Sequence, residues 1–271
     1  MYAAGIDIGS TQTKCVILDE NGRIRGRGLR VTGADVVRAG EEVLQKACEE
    51  AGIETHEVGY IIGTGYGRFR VASGDDQVTE ISCHARGAVH LFPGTRTILD
   101  IGGQDTKAIR VNERGEVLDF SMNDKCAAGT GRFLAAAAEV MGMDISEIGP
   151  ASLESTQTLK ITNVCTVFVE TEILNQLSRG RRREDILAGV HRSIASRSAG
   201  LLRRVGLESE LTFTGGVARN PGMVKAVAER TGMAVNASED SHFMGALGAA
   251  LFARERLDAG AVPSRPEEAQ R

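Results

Sequence analysis

The sequence is poor in aromatic residues: tryptophan is absent, and Phe, Trp and Tyr together make up 4% of 271 residues. Proteins that bind single-stranded nucleic acid stack the bases on aromatic side chains, so this composition argues against such a platform. The formal net charge of −4 adds no general attraction to nucleic acid or to anionic membranes. We therefore expect neither nucleic acid nor a membrane among the partners of the chain.

Long apolar runs are missing as well. No segment approaches the ~20 residues that a membrane-spanning helix needs. The first residues, MYAAGIDIGS, lack the basic start and the cleavage site of a signal peptide. These absences predict a cytoplasmic protein. In that reducing compartment five cysteines without a C-x₂-C pair argue against a disulfide framework and against a zinc site with paired ligands.

Glycine, by contrast, is abundant, and the 33 glycines are grouped in short motifs. GIDIGSTQTK at 5–14 and LDIGGQDTK at 99–107 share Asp-Ile-Gly, followed by a polar residue and by threonine with lysine. The predicted order of the first third is strand, strand, strand, helix, strand, helix, and it begins again at residue 96. The sequence therefore predicts an α/β protein made from a duplicated domain, with a cleft between the two halves.

Each Asp-Ile-Gly ends a predicted strand that turns directly into the next strand. Glycine lets the backbone approach a phosphate, and N–H and hydroxyl groups of the turn donate to its oxygens. An aspartate there can hold Mg²⁺ through water or orient an attacking water. We predict these roles for Asp7 and Asp100, without deciding which does which, and Gln104 is a second candidate to orient the water. The predicted phosphate cradle comprises Gly9, Ser10, Thr11, Gln12, Thr13, Lys14, Gly102 and Gly103.

A third glycine motif, FTGGVARN at 213–220, predicts a strand, a glycine pair and a helix start. Such a helix N-terminus suits a nucleoside or phosphate, so Gly215, Gly216 and Val217 are predicted to contact the nucleotide, with His242 beside the adenine. The alternative to a nucleotide site is a set of ordinary turns with capping aspartates. Ordinary turns do not account for two Asp-Ile-Gly motifs in register with a repeat. The sequence contains no Walker loop, and no dinucleotide fingerprint follows the first strand.

Two cysteines, within NDKCAAGTGRF and VCTVFVETE, stand where helices are predicted to begin. A helix N-terminus favours thiolate over thiol, so Cys126 and Cys165 can act as ligands of a soft metal centre or as nucleophiles. Cys15 and Cys48 fit small core residues, and the role of Cys83 is left open. An iron–sulfur cluster needs four cysteines, and two chains related by a two-fold axis would supply them.

The phosphate and adenosine motifs resemble those of the actin, sugar kinase and Hsp70 superfamily, which has a duplicated ribonuclease H-like fold, over about residues 3–255. More specifically, NDKCAAGTGRF, VCTVFVETE, SCHARGA, GTGYGR and FTGGVARN look like the activator ATPases of 2-hydroxyacyl-CoA dehydratases. The ATPase subunits of benzoyl-CoA reductases share that family. This resemblance implies that the chain is an electron donor that hydrolyses ATP to ADP.

The same resemblance implies a homodimer in which one [4Fe–4S] cluster is held by Cys126 and Cys165 of both subunits. ATP hydrolysis with Mg²⁺ would drive one electron at low potential into a dehydratase or a reductase component. Ferredoxin or flavodoxin is implied as the electron donor. The turn after Cys126 is expected to face the nucleotide, through Gly129, Thr130 and Gly131.

The resemblance also suggests domain boundaries. We expect residues 1–95 to form the N-terminal half, to which a helix over 243–256 returns, and residues 96–242 to form the C-terminal half with both candidate cluster ligands. Residues 257–271 are expected to be a flexible tail.

Two other functions stay open. A small-molecule kinase of the same fold would leave Cys126 and Cys165 unexplained. A nucleotide-binding regulatory subunit would turn over no ATP.

Overall fold

A computed structural model describes residues 1–161 and 166–263, without the side chains of residues 166 and 167. The described residues divide into two compact units. Of the described residues, unit 1 comprises 1–93, 114–117 and 243–263, and unit 2 comprises 94–113, 118–161 and 166–242. Within the described part of the chain, no helix is both long and apolar enough to cross a lipid bilayer.

Strands and helices alternate along the chain. The strands are β1 (Tyr2–Ile8), β2 (Gln12–Leu18), β3 (Ile24–Val31), β4 (Val58–Thr64), β5 (Asp76–Gln77), β6 (Thr97–Ile101), β7 (Thr106–Val111), β8 (Val117–Asn123), β9 (Leu211–Thr214) and β10 (Val235–Asn236). The α-helices are α1 (Val36–Ala51), α2 (Glu80–Leu91), α3 (Gly131–Met141), α4 (Ile148–Leu153), α5 (Thr166–Ser178), α6 (Arg183–Val205), α7 (Pro221–Thr231) and α8 (Met244–Asp258). Short 3₁₀ helices span Thr55–Glu57, Arg68–Arg70, Gly216–Arg219 and Glu239–Phe243.

Unit 1 is built on a sheet with the strand order β3-β2-β1-β4-β5. β1 runs antiparallel to β2 and parallel to β4, so Asp7 lies opposite Lys14 on one side and Thr64 on the other. β1 and β4 are almost wholly buried, because a central strand between two covered faces has apolar residues on both sides. This register brings polar side chains together at the carboxyl end of β1.

α8 packs against β1 and α2 through small residues. A Cβ atom at Gly5 would collide with the backbones of Ala246 and Ala250, and one at Gly248 would collide with the backbone of Cys83. The absence of side chains at these glycines therefore lets helix and strand backbones approach closely. The glycine and alanine content of MGALGAAL thus reflects tight packing beneath the first phosphate motif.

Unit 2 repeats this arrangement, with the strand order β10-β9-β6-β7-β8. In both sheets the first strand lies between the second and the fourth, and the third and fifth strands form the two edges. β6 is antiparallel to β7 and parallel to β9, so Asp100 lies opposite Lys107 and Thr214. The core of unit 2 joins the sheet to helices α3, α6 and α7 through side chains such as Phe133, Ile194 and Phe213.

The structure contains elements that the sequence patterns did not predict. The strands β5 and β10 have two residues each, and α4 has six, which is too short to show a clear hydrophobic period. α3 begins at Gly131, five residues after the cysteine at which the sequence predicts a helix start. α8 continues to Asp258, beyond its predicted end at residue 256.

Candidate functional site

The first phosphate motif forms the turn between β1 and β2. The Gly9 N–H donates to the Gln12 carbonyl over 3.2 Å, which closes the turn and leaves Ser10 and Thr11 exposed. Asp7 is buried, and the Lys14 Nζ lies 3.5 Å from its Oδ2. The turn therefore presents hydroxyl and backbone groups to solvent above a buried carboxylate that has a cation beside it.

Threonine hydroxyls hold this turn from behind. The Thr13 hydroxyl, which is buried, lies 2.9 Å from the Thr32 hydroxyl, and Thr32 donates to the Gly9 carbonyl over 2.7 Å. The Thr32 N–H also donates to the Thr11 carbonyl. The structure thus places the Thr13 side chain inside the unit, where it shapes the turn.

The second phosphate motif forms the corresponding turn between β6 and β7. The Gly102 N–H donates to the Asp105 carbonyl over 3.0 Å, and Gln104 is exposed at the tip. Lys107 is buried, with its Nζ 2.8 Å from Asp105 Oδ2 and 3.5 Å from Asp100 Oδ2. Asp105 and Lys107 were not predicted as site residues, although the shared Thr-Lys of the two repeats was a signal for Lys107.

Each central aspartate also faces a glycine from the parallel strand. Gly65 follows β4 with φ +84°, and Gly215 follows β9 with φ +85°. A Cβ atom at Gly215 would lie 2.8 Å from Asp100 Oδ1 and would collide with the Ile101 carbonyl oxygen. A Cβ atom at Gly65 would collide with Asp7 Oδ1 in the same way. The loop GTGYGR, to which the sequence assigned no role, is therefore the unit 1 counterpart of the predicted adenosine motif.

The threonines before these glycines are buried too, and their hydroxyls have different acceptors. Thr214 donates to Asp100 Oδ1 over 2.9 Å, whereas Thr64 donates to the Val78 carbonyl over 2.9 Å. The hydroxyl of unit 2 thus bonds to the central aspartate, and the hydroxyl of unit 1 bonds to the backbone before α2.

His84, on α2, lies beside the first aspartate. A Cβ atom at Gly245 would be 3.0 Å from Asp7 Oδ2 and 3.1 Å from His84 Nε2, so both groups border the same glycine. Glu80 Oε1 is 4.0 Å from His84 Nε2. The sequence indicated no partner for this histidine, because α2 and α8 are far from β1 along the chain.

The segment after β8 is attached to the second phosphate turn. The Gly131 N–H donates to the Gly102 carbonyl over 2.9 Å, and the Arg132 N–H donates to the Gly103 carbonyl over 3.0 Å. The Thr106 hydroxyl donates to the Gly129 carbonyl over 2.7 Å. The first N–H groups of α3 are therefore bonded to the turn that carries Gly102 and Gly103.

The predicted adenosine residues lie at the end of β9. Gly216 is exposed, Val217 is buried, and the Gly215 N–H donates to the Ser241 carbonyl over 3.0 Å. His242 is buried and follows Ser241 directly. The buried His242 therefore directly follows the residue whose carbonyl accepts the Gly215 N–H.

The cysteines differ in their surroundings. Cys15, Cys48 and Cys83 are buried, and Cys126 is exposed. Burial raises the pKa of the Cys83 thiol to about 12, and it also raises the pKa values of Cys15 and Cys48. Cys83 therefore belongs to the core of unit 1 as a protonated thiol, which answers the question that its sequence left open.

The prediction that Cys126 stands at a helix start is wrong. Cys126 lies in the turn between β8 and α3, four residues before Thr130, which is the N-cap residue of the helix. The two glycine positions at 129 and 131 and the bonds to Gly102 and Gly103 shift the start of the helix downstream. Cys165 lies outside the described residues, and α5 begins at the next position, Thr166.

Comparison with known proteins identifies the group to which these motifs belong. Residues 4–253 match the BadF/BadG/BcrA/BcrD ATPase family. The chain belongs to this family. The activator of lactoyl-CoA dehydratase from Anaerotignum propionicum is 46% identical over 261 residues, which cover 94% of this chain and 98% of that protein. A benzoyl-CoA reductase subunit from Thauera aromatica is 37% identical, over 94% of both chains.

Solved structures confirm the predicted fold class. The activator of the 2-hydroxyisocaproyl-CoA dehydratase from Clostridium difficile with bound ADPNP has a TM-score of 0.92 and 41% identity, over 96% of this chain and 97% of that one. A ROK family glucokinase from Streptomyces griseus, in complex with glucose and AMPPNP, has a TM-score of 0.60 and 15% identity over 94% of this chain and 100% of that one. That likeness shows the fold alone. The resemblance to the dehydratase activators, first seen in short motifs, is confirmed along nearly the whole chain.

Proposed function

We propose that this protein hydrolyses ATP and uses the reaction to activate a 2-hydroxyacyl-CoA dehydratase by one-electron transfer. The observation that carries the proposal is the identity of 46% with a lactoyl-CoA dehydratase activator, over nearly the full length of both chains. The two Asp-Lys hairpin turns support the ATPase part, because carboxylates and backbone donors are the groups that bind Mg²⁺ and phosphate.

We propose that each of the two phosphate turns contributes groups to nucleotide binding. Asp7 or Asp100 would organise Mg²⁺ and the attacking water, and exposed Gln104 would help to orient that water. Backbone and hydroxyl groups of Gly9, Ser10 and Thr11 would donate to phosphate oxygens, with Lys14 supplying positive charge. Water would attack the γ-phosphorus and ADP would leave, so no phosphorylated product accumulates.

Cys126 fits an iron–sulfur ligand by its exposure and by its place in a turn. Among the described cysteines, the other three are buried in unit 1, where burial raises the thiol pKa and favours the protonated form. We propose that Cys126 and Cys165 from two copies of the chain hold one [4Fe–4S] cluster, which would supply low-potential one-electron transfer. Ferredoxin or flavodoxin is the proposed electron donor.

In the second candidate function, the chain is a permanent ATPase subunit of a reductase. The 37% identity with the benzoyl-CoA reductase subunit favours it, and this identity is lower than the 46% with the dehydratase activator. A permanent component would stay bound to its partner during purification, whereas an activator would be recovered free of it.

The test is anaerobic purification followed by iron and product analysis. We expect a brown protein with about four iron atoms per two chains, and ADP and phosphate as products of ATP turnover. Cys126→Ser and Cys165→Ser should each lose the cluster. Cys48→Ala, at a buried cysteine, is the matched control and should retain it. A colourless, iron-free protein that phosphorylates a small molecule would refute the proposal.

A further inference from the structure

A small cavity lies within unit 2, between the helices α4, α6 and α7 and the segment of residues 155–158. Its volume is about 150 Å³, below the range of about 300–1,000 Å³ that is typical of sites for drug-sized ligands. The nucleotide-contacting residues that the sequence predicts in unit 2 are all described, and none of them lines it. This α6–α7 cavity is therefore a separate feature, with room for a small ligand.

One wall of the α6–α7 cavity is held in place by a buried carboxylate. Asp185 Oδ1 accepts the Thr156 N–H over 2.8 Å, the Gln157 N–H over 2.9 Å and the Ser155 hydroxyl over 3.0 Å. Three donors thus converge on one oxygen atom of α6. The segment 155–158 is fixed to this helix, so its side chains line a preformed cavity.

A buried histidine of α6 lines the cavity and has an unused donor. His191 is 1% exposed, and its Nε2 lies 3.1 Å from Asn220 Nδ2. Asn220 Oδ1 accepts the Met223 N–H, so Nδ2 donates to Nε2, and the proton of the neutral ring is on Nδ1. Nδ1 has no hydrogen-bond partner among the described residues. Because buried donors nearly always have an acceptor, this N–H indicates a bound ligand or an ordered water.

A glycine lets the histidine ring approach the cavity. Gly222, on α7, lines the cavity too, and a Cβ atom there would lie 3.0 Å from His191 Cε1, the carbon between the two ring nitrogens. The same Cβ atom would collide with Ser152 Oγ. A side chain at this position would therefore occupy the space next to the ring.

Two cationic side chains also line the cavity. Arg192 donates from Nη2 to the Leu159 carbonyl over 3.2 Å, which uses one of its five N–H donors. Lys225 Nζ lies 4.0 Å from Glu229 Oε1, and 54% of each side chain is exposed. Such an exposed pair is weak, so Lys225 stays available to a ligand. Glu229 is the acidic residue among the described lining residues, which therefore carry two cations and one carboxylate.

Two further arginines stand next to the cavity. Arg181 donates to Gln157 Oε1 over 3.3 Å, and Arg182 donates to Thr156 Oγ1 over 3.1 Å. Gln157 and Thr156 both line the cavity. Arg182 is also paired with Glu184 at 3.2 Å. The charge around the cavity is thus positive on balance, which favours an anion.

We propose that the α6–α7 cavity binds a small tetrahedral oxyanion, for which inorganic phosphate is the simplest example. His191 and Arg192 of α6 and Lys225 of α7 supply the donors, and hydroxyls of the segment 155–158 complete the shell. Charge-assisted bonds from arginine and lysine are the strong contacts to such an ion. Donors from three elements suit a tetrahedral ion better than a planar carboxylate. The inference stands apart from the proposed function, since none of these residues belongs to the proposed nucleotide site or cluster.

Calorimetric titration of the anaerobically purified protein with inorganic phosphate tests the proposal. A saturating non-hydrolysable ATP analogue keeps phosphate out of the proposed nucleotide site. We expect saturable binding, with a dissociation constant about tenfold higher in Arg192→Gln and in Lys225→Gln, because each variant loses a charge-assisted bond. Arg230→Gln is the matched control, since Arg230 is an exposed cation of α7 that does not line the cavity. It should bind phosphate as the wild type does.

The histidine provides a second readout in the wild-type protein. At about pH 7.5, where an unfolded histidine is neutral, phosphate should shift the Nδ1 magnetic resonance signal of one histidine in the isotope-labelled protein. His191→Gln should lack that signal.

An absence of saturable phosphate binding would overturn the inference. So would wild-type affinity in both lining variants together with an unshifted His191 signal. Tighter binding of acetate than of phosphate would overturn it as well, since the cavity would then belong to a carboxylate. A chain that binds no ATP analogue would overturn the proposed function, whereas weaker phosphate binding in Arg192→Gln would still support the oxyanion site.

Discussion

At the scale of single residues, the two lysines of the repeated motif have different surroundings. Lys107 is buried between two carboxylates, at 2.8 Å from Asp105 and 3.5 Å from Asp100. Lys14 forms an ion pair with Asp7 at 3.5 Å, and 14% of its side chain is exposed. We infer that Lys107 balances charge inside unit 2, whereas Lys14 is placed to meet a phosphate.

Substitution of the two lysines should separate these roles. Lys107→Met leaves buried carboxylate charge uncompensated, so we expect a loss of about 3–5 kcal/mol in the free energy of unfolding. Lys14→Met should cost less stability but weaken nucleotide binding by about tenfold, because it removes a charge-assisted phosphate contact. Urea unfolding and nucleotide titration would measure the two effects. Equal loss of stability in both variants would contradict the distinction.

Gly215 is required by both its backbone conformation and its neighbours. Its φ is +85°, and a Cβ atom there would collide with the Ile101 carbonyl oxygen. We expect Gly215→Ala to lower the free energy of unfolding by roughly 3 kcal/mol, since strain and overlap add. Gly22→Ala is the control, because Gly22 has φ +73° but no atom lies within 4 Å of the point where its Cβ would stand. It should cost only about 1 kcal/mol. A similar loss in the free energy of unfolding for Gly215→Ala and Gly22→Ala would show that the folded protein relieves the overlap at Gly215.

At the scale of elements, α6 is joined to the start of α7 by a histidine. Asn220 caps α7, accepting the Met223 N–H at Oδ1 over 3.0 Å. Its Nδ2 therefore faces His191 Nε2, at 3.1 Å, as a donor. This bond needs an unprotonated Nε2, so a neutral His191 holds the last residue of the predicted adenosine motif.

This contact predicts a dependence of stability on pH. Burial, followed by the charge of Arg192, lowers the pKa of His191 to about 4. An unfolded histidine has a pKa near 6.5. The unfolded state thus binds the proton more readily. The contribution of neutral His191 to the free energy of unfolding, up to about 3 kcal/mol, should be fully present above about pH 6.5 and should be lost as the pH falls toward 4.

Urea unfolding as a function of pH would measure this loss. His191→Gln keeps an acceptor for Asn220 and removes the titration, so its stability should fall less between about pH 6.5 and pH 4 than that of the wild type. His56→Gln, at an exposed histidine, is the control and should follow the wild type. An identical pH dependence in His191→Gln would assign the loss to other groups.

At the scale of the whole molecule, the second phosphate turn and the turn with Cys126 form one connected segment. Gly102 and Gly103 accept the first N–H groups of α3, and Thr130 bonds back to the Ala127 carbonyl over 2.7 Å. A nucleotide that moves the phosphate turn would therefore act on the chain next to Cys126. We expect nucleotide state to control the accessibility of the proposed cluster.

Iron removal by a chelator would test this coupling. The rate of iron loss should differ by severalfold between the protein with a non-hydrolysable ATP analogue and the protein with ADP. Asp7→Asn, which weakens the proposed Mg²⁺ and phosphate site, should reduce that difference while the iron content stays the same. Equal rates with both nucleotides, together with unchanged binding to a dehydratase, would rule out nucleotide control.

Much of the fold could be predicted from local patterns. Strand, turn and helix signals around Asp7 and Asp100 repeat in the sequence, and the two sheets have the same strand order. Short elements were missed, because two-residue strands such as β5 have no period of their own and exist by pairing with a neighbour.

The sequence by itself determined the family, the duplicated fold and the motifs that end β1, β6 and β9, because these depend on residues close together in the chain. Only the tertiary structure decided which groups surround each aspartate. His84, Gly65 and the two carboxylates around Lys107 take their places through strand register and helix packing. It also separated Cys126 from the buried cysteines and from the start of α3, since burial and hydrogen bonding to a distant turn are properties of the folded chain.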